Sequence, residues 1–172
     1  NEQFDPEYLK ISPNHKIPAI VDHDGPNGET ISLCESGAIL KYVGAKMADK
    51  LYPSDPLIQL KVDQWLFFGS AQFTTLAQQY GFFHIRSPED IPAGKKYYDV
   101  RMRDLFECLN LHLGENEYMA GDFSVADISM YSDTHIYGDE KWIGFADYPN
   151  LKRWHDAIEA RPAVTRAWGP YE

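Results

Sequence analysis

Two short stretches carry residue types that can do chemistry. In Lys16-Ile17-Pro18-Ala19-Ile20 a proline stands at the mouth of a short apolar run. Proline has no amide hydrogen to give a sheet ladder, so this position marks an edge, a bulge or a special peptide bond. With a cis Ile17-Pro18 bond, the Ile17 backbone turns outward and is free to pair with an extended, peptide-like ligand as an added strand. With a trans bond, Pro18 is an ordinary edge-strand proline. In Cys34-Glu-Ser-Gly-Ala38, Ser36 stands at a helix start, where a hydroxyl, unpaired amides and the positive end of the helix dipole converge on one point. A carboxylate binds at such a point. Glu35 supplies the complementary negative charge, so the pair suits both ends of an α-amino acid group, and Gly37 leaves room for close approach. The alternative is a plain N-cap serine beside an exposed glutamate.

Other chemistries find less support. The six histidines show neither H-E-x-x-H nor a clustered spacing, so no metal site is expected. The two cysteines, Cys34 and Cys108, form no C-x-x-C pair, and a reducing cytoplasmic location is the simplest reading. With 26 acidic against 16 basic residues the formal charge is −10, which argues against a nucleic-acid partner. No apolar run approaches the roughly 20 residues that cross a bilayer, so no membrane association is expected.

The elements that must position these residues have two grammars. Asp5-Pro6-Glu7 reads as an N-cap, a first-turn proline and a first-turn acid, which predicts a short helix through Ile11, ended by Ser12-Pro13-Asn14. Pro18–Val21 and Thr30–Cys34 are β-competent and flank the turn residues His23–Glu29, which predicts a hairpin. Ser36 then opens a helix with Ile39, Leu40 and Val43 at helical spacing. After Asp49–Asp55 the pattern is helical throughout. A long helix from Asp55-Pro56 carries Leu57, Leu60, Val62, Trp65, Leu66 and Phe68 in a stripe broad enough to be mostly buried. A loop is predicted over His84–Gly94 and a helix over about Lys95–His112. A capping box with Asp127 in the glutamate position opens another at Ser124, and two more follow near Leu151–Glu159 and Ala163–Trp168. The fold class is α+β: a small unit over residues 1–48, a linker over 49–55 and an all-helical unit over 56–172. Two strands alone make a marginal sheet, so the first unit is expected to be part of a larger one, with an upstream piece before Asn1.

Taken together, Lys16-Ile17-Pro18-Ala19-Ile20, the hairpin, Glu35-Ser36-Gly37-Ala38-Ile39-Leu40 and Gly121-Asp122-Phe123-Ser124-Val125-Ala126-Asp127 resemble the glutathione transferases over essentially the whole chain. Glu2-Gln3-Phe4 with Pro6-Glu7 and Ser12-Pro13-Asn14 is similar to the Nu-class and yeast prion regulator branch, whose bacterial members are disulfide-bond oxidoreductases. The resemblance implies a partial thioredoxin-like domain followed by an all-helical domain, usually as a homodimer, with glutathione as cosubstrate. It implies that the Ile17 backbone, ahead of cis Pro18, pairs with the cysteinyl part of glutathione. Glu35 and Ser36 would hold the γ-glutamyl end, and Lys16 and Gln3 would reach the glycyl carboxylate. His15 would be peripheral. Gln79 would contact glutathione across the dimer. Tyr80, Phe82 and Phe83 form an aromatic stripe that is either core or, following the helix that lines the electrophile pocket in this family, part of the pocket for the second substrate, with Tyr80 and Phe83 its lining residues. Asp127 would be structural.

The resemblance also implies what lies elsewhere. The family's first strand, first helix and second strand, with the residue that stabilises or replaces the glutathione thiolate, are expected upstream of Asn1, so no catalytic residue is assigned within these residues. Cys34, expected to be buried at the end of a strand, is a poor substitute. The activity implied is that of a transferase or disulfide-bond oxidoreductase acting through the glutathione thiolate on a hydrophobic electrophile or a disulfide. The alternatives are a non-catalytic interaction or regulatory module of the same fold and a glutathione-dependent aryl-ether cleaving enzyme.

Overall fold

The computed structural model describes residues 1–47 and 49–169, so the expected boundary at Ala48 and the last three residues of the helical unit lie outside the described residues. The chain divides into two compact units, Asn1–Gln59 and Leu60–Glu172.

In the first unit a 3-10 turn over Glu2–Phe4 leads to α1 (Pro6–Ile11), whose start is fixed by the Asp5 carboxylate accepting the Glu7 amide at 2.8 Å. The ribbon pairs β1 (Ala19–Asp22) antiparallel with β2 (Ile31–Cys34), in a register that sets Ala19 opposite Cys34 and Asp22 opposite Ile31. Pro18 falls just outside the strand predicted to include it, since it has no amide for the ladder. The connecting turn takes Asn27 (φ 59°) and Gly28 (φ 75°) through the left-handed region. Helix α2 (Ser36–Lys46) follows β2 directly and buries Ile39. At the other end of the ribbon Asp22 accepts hydrogen bonds from Tyr42 and Lys46, each at 2.7 Å, and so ties β1 to the last turns of α2.

Helix α3 (Pro56–Phe67) starts where predicted, with Asp55 accepting the Leu57 and Ile58 amides. Its stripe is narrower than expected. Val62 and Leu66 are buried, but Leu57 and Leu60 are 73% and 67% exposed, because those positions lie on the opposite side of a 3.6-residue helix from the buried pair. The rod continues through a π-helical stretch, Phe68–Phe73, into α4 (Thr74–Gly81) and a second π-helical stretch, Phe82–Arg86. The loop predicted from His84 is therefore only Ser87–Ile91. His84 stays helical because its ring stacks on Tyr80 one turn earlier, with centroids 4.2 Å apart, and Pro92 opens α5 (Pro92–Glu115) earlier than Lys95.

Helix α5 contributes Met102, Phe106, Leu109 and Leu113 to the core of the helical unit, at the i, i+4, i+7 spacing of one face. Helix α6 (Val125–Tyr137) packs close to the π-helical stretch at Gly69, where a Cβ would sit 2.7 Å from Ser129 Oγ, so only glycine admits this approach. Helix α7 (Pro149–Glu159) inserts Leu151, Trp154 and Ile158, and α8 (Pro162–Trp168) closes the described chain. Ser124 and Asp127 form the predicted capping box. Asp127 does more than cap: fully buried, it also accepts the Met119 amide at 3.0 Å and the Trp154 indole N–H at 2.8 Å. Burial pushes its carboxyl above the usual range, while these donors pull the other way. The architecture is α+β.

Candidate functional site

The ribbon's register decides what can act together. Because Ala19 faces Cys34, the residues just before β1 and just after β2 leave the ribbon at the same end. Ile17-Pro18 and Glu35-Ser36, eighteen positions apart in sequence, are thereby neighbours.

The Ile17-Pro18 bond is cis, which decides between the two readings of the dipeptide. Ile17 is 83% exposed, and among the described residues neither its N–H nor its C=O enters a hydrogen bond. What precedes it is held firmly. The Lys16 carbonyl accepts from the Tyr8 hydroxyl at 2.7 Å and from the Ser12 hydroxyl at 2.8 Å, and the Lys16 amide donates back to Ser12 Oγ at 3.2 Å. Ser12 is buried, and its carbonyl accepts the His15 amide at 2.8 Å, which brings His15 into the left-handed region at φ 46°. The chain thus bends at Ile17 and presents an exposed backbone edge there, with the Lys16 side chain exposed beside it. Phe4, after Gln3 in the 3-10 turn, packs its ring against His15 with centroids 4.9 Å apart, while Gln3 itself is half-buried.

Across the ribbon end, Ser36 is the first helical residue of α2 and Glu35 takes the N-cap position. Ser36 is therefore not the N-cap; that position is taken by Glu35, which makes no side-chain cap bond, and among the described residues the Ser36 hydroxyl has no hydrogen-bond partner. Glu35 adopts φ 74°, ψ 114°, a backbone that a non-glycine residue holds at a cost of about 1–3 kcal/mol and that recurs at ligand clamps. Ile39 is the first amide of α2 to bond back, to the Glu35 carbonyl at 2.9 Å. Among the described residues the Ser36, Gly37 and Ala38 amides have no hydrogen-bond acceptor and so stand as donors at the dipole's positive end. The site thus offers a backbone edge at Ile17, an ammonium at Lys16, a carboxylate at Glu35, and a hydroxyl with free amides at Ser36. Such a set suits an extended peptide with carboxylates near both ends and an ammonium at one.

Sequence reasoning missed the residues that hold this edge. Tyr8 carries no motif of its own, and Ser12 was read only within Ser12-Pro13-Asn14, as the end of α1 and part of the branch resemblance, with no role assigned to its hydroxyl. Cys34, expected to be buried, is half-buried, because β2 is an outer strand of a two-stranded ribbon.

The other candidates lie in the helical unit and do not share one surface. Gln79 is exposed and Phe82 is 38% exposed, whereas Tyr80 is 2% exposed and packs edge-on against Tyr137. Burial, with the Asp99 charge nearby, pushes the Tyr80 phenol up to about 12. Phe83 is half-buried, stacked on Tyr98 at 5.1 Å and seated against Gly94.

Comparison with known proteins identifies the family. Residues 1–45 match the family model for the glutathione S-transferase N-terminal domain, and residues 78–167 match the model for its C-terminal domain. The chain is 38% identical over 168 residues to the disulfide-bond oxidoreductase YfcG of Escherichia coli, covering 96% of this chain and 77% of that protein. Among solved structures it is similar to a glutathione transferase from Burkholderia graminis with two glutathione molecules bound per subunit. That match has a TM-score of 0.91 and 32% identity, and covers 99% of this chain and 74% of the other. A glutathione transferase from Pseudomonas putida with glutathione disulfide bound gives a TM-score of 0.89 at 30% identity, over 99% and 76% of the two chains. With both family models matched in order and a relative at 38% identity of which the chain covers 77%, the chain belongs to the glutathione S-transferase family, in its Nu-class and yeast prion regulator-like branch.

Proposed function

We propose that the protein is a glutathione-dependent enzyme that reduces disulfides or transfers glutathione to a hydrophobic electrophile. The observation that carries this reading is the ribbon register, which sets the free backbone edge of Ile17 beside Glu35 and the open amide end of α2. In this reading the Ile17 N–H and C=O pair with the cysteinyl residue of glutathione. The Ser36 hydroxyl and the α2 amides take its α-carboxylate, and Glu35 takes its α-ammonium. Lys16 holds the glycyl carboxylate as a point charge, with Gln3 beside it. Bound glutathione supplies the thiolate nucleophile. This chain's part is to fix the tripeptide at both ends so that the sulfur has one position, which removes orientational freedom from the reaction.

The second substrate, a disulfide or an electrophile, is read as meeting Phe83 and its aromatic neighbours, with Gln79 reaching the glutathione of a second copy. A homodimer is supported by the apolar face that α3 leaves exposed at Leu60 and Phe67, one heptad apart. A cytoplasmic location suits the free cysteines Cys34 and Cys108. Among the described residues no helix is long and apolar enough to cross a membrane.

The test is the glutathione-dependent reduction of hydroxyethyl disulfide by the full-length protein, run beside a model aryl ether and an aryl halide. Disulfide reduction that falls at least about tenfold in Glu35→Ala supports the reading, since each lost charge-assisted bond costs about 1.5–3 kcal/mol. A protein without activity on all three substrates is a binding module rather than an enzyme.

A further inference from the structure

The six histidines look scattered in sequence, yet α6 and α7 bring two of them face to face. His135 Nδ1 lies 3.0 Å from His155 Nε2, their rings nearly parallel at 15°. Glu159, one turn after His155 on α7, places Oε1 3.7 Å from His135 Nδ1, and the three potential ligand atoms all lie within 4.8 Å of one another. We propose that His135, His155 and Glu159 form a binding site for a single divalent transition-metal ion, of which zinc is the natural representative.

Three independent features support this. The first is spacing. Bonds of about 2.0–2.2 Å at tetrahedral angles put neighbouring ligand atoms roughly 3.3–3.5 Å apart; the two separations from His135 Nδ1, 3.0 and 3.7 Å, bracket that value, while the third, within 4.8 Å, requires the exposed Glu159 carboxylate to turn toward the ion. The second is tautomer control. His155 Nδ1 lies 3.2 Å from Asp156 Oδ1, and a proton donated there leaves the Nε2 lone pair aimed at His135. Asp156 is itself held by Lys152 at 2.6 Å through its other oxygen. This carboxylate–imidazole pairing is the arrangement that orients metal-bound histidines. The third is access and charge. The cluster opens into a cavity of about 370 Å³ also lined by Asp139, Glu140, Asp156 and Lys152; the carboxylates outnumber the one ammonium, which favours a cation, and a coordination position is left for water or a further oxygen ligand.

Without metal, the two imidazoles satisfy each other across the 3.0 Å contact: with the His155 proton on Nδ1 toward Asp156, His135 Nδ1–H is the donor that fits. Metal entry needs no net proton release. His135, a half-buried residue, moves its proton to Nε2 and gives the Nδ1 lone pair to the ion. Two nitrogens and one carboxylate oxygen match zinc, copper(II) or nickel(II) better than calcium or magnesium, which take oxygen ligands. The Tyr131 hydroxyl, 3.4 Å from His135 Nδ1, and the Trp168 ring, 4.8 Å from the His135 ring, cover the site's other side.

The experiment titrates tag-free, chelator-stripped full-length protein with Zn²⁺ against a chromophoric chelator, and in parallel with Co²⁺, whose visible absorption reports tetrahedral coordination. One Zn²⁺ per chain is expected. The dissociation constant should rise more than about tenfold in His135→Ala and in Glu159→Gln, and by about tenfold in Asp156→Asn. His155 is buried and its removal threatens folding, so the exposed or half-exposed His135 and Glu159 carry the test, with circular dichroism confirming folded variants. Absence of stoichiometric binding, or equal affinity in His135→Ala and Glu159→Gln, overturns the proposal. No glutathione enters the measurement, so its outcome is independent of the proposed enzymatic function.

Discussion

Two side chains carry more of this protein than their types announce. Asp127 gathers the Ser124 and Met119 amides, the Ser124 hydroxyl and the Trp154 indole at one buried point, and so joins the start of α6 to the middle of α7. Asp127→Ala strands these donors without water. It is expected to lower unfolding free energy by about 3 kcal/mol or more in urea denaturation, whereas Trp154→Phe removes a single donor and a smaller volume and costs less. Asp127 was legible as a cap, because the S-x-x-D spacing is local. Its bonds to Met119 and Trp154 were not, because they join residues that only the fold brings together. Ser12 is the corresponding residue in the first unit. Ser12→Ala removes two of the three hydrogen bonds that fix Lys16 and leaves the one from Tyr8, so the edge at Ile17 loosens. The expected result is a KM for glutathione that rises more than kcat falls, with stability reduced by about 1–2 kcal/mol.

At the scale of elements, the ribbon and α2 are tied by charge at the end away from the candidate site. Lys46 above all, then Tyr42 and the Asp24 amide, hold the Asp22 carboxyl well below the usual carboxylate range. A depressed folded-state pKa means stability that is present above the unfolded value, near 3.9, and lost as pH falls toward the folded one. The melting temperature of Asp22→Asn should therefore lie below that of the native sequence by a constant gap from pH 7 to 5. The gap should close as pH falls below about 4, and thermal scans across that range check it. Packing between helix turns supplies a second expectation. A Cβ on Gly138 would run into the Phe145 ring and the Thr134 carbonyl, so Gly138→Ala should cost about 1–3 kcal/mol in the same denaturation assay. Helix starts were well read from sequence, since Asp5, Asp55 and Ser124 act through bonds two or three residues away. Helix continuity was not. The π-helical stretches keep the rod unbroken from α3 to Arg86 through stacking of Tyr80 on His84 and the close approach of Gly69 to α6, and no local pattern encodes either.

At the scale of the molecule, the α+β division and the candidate site were legible because their parts are contiguous motifs, Lys16-Ile17-Pro18 and Glu35-Ser36-Gly37, in a fixed order. The positive φ of Glu35 and the clamp of Tyr8 and Ser12 on Lys16 were not, since both depend on how α1 and α2 meet the ribbon. The pairing of His135 with His155 escaped for the same reason, as the two sit twenty positions apart on different helices. The central claim is that the ribbon end formed by Ile17-Pro18 and Glu35-Ser36 binds glutathione. Isothermal titration of glutathione into the full-length protein and into its Glu35→Ala and Ser36→Ala variants tests it most directly. The account predicts saturable binding to the native sequence and a dissociation constant at least about tenfold higher in each variant, as the loss of a hydrogen bond to a charged group requires. Equal binding by all three proteins, or no binding by the native sequence, would contradict it.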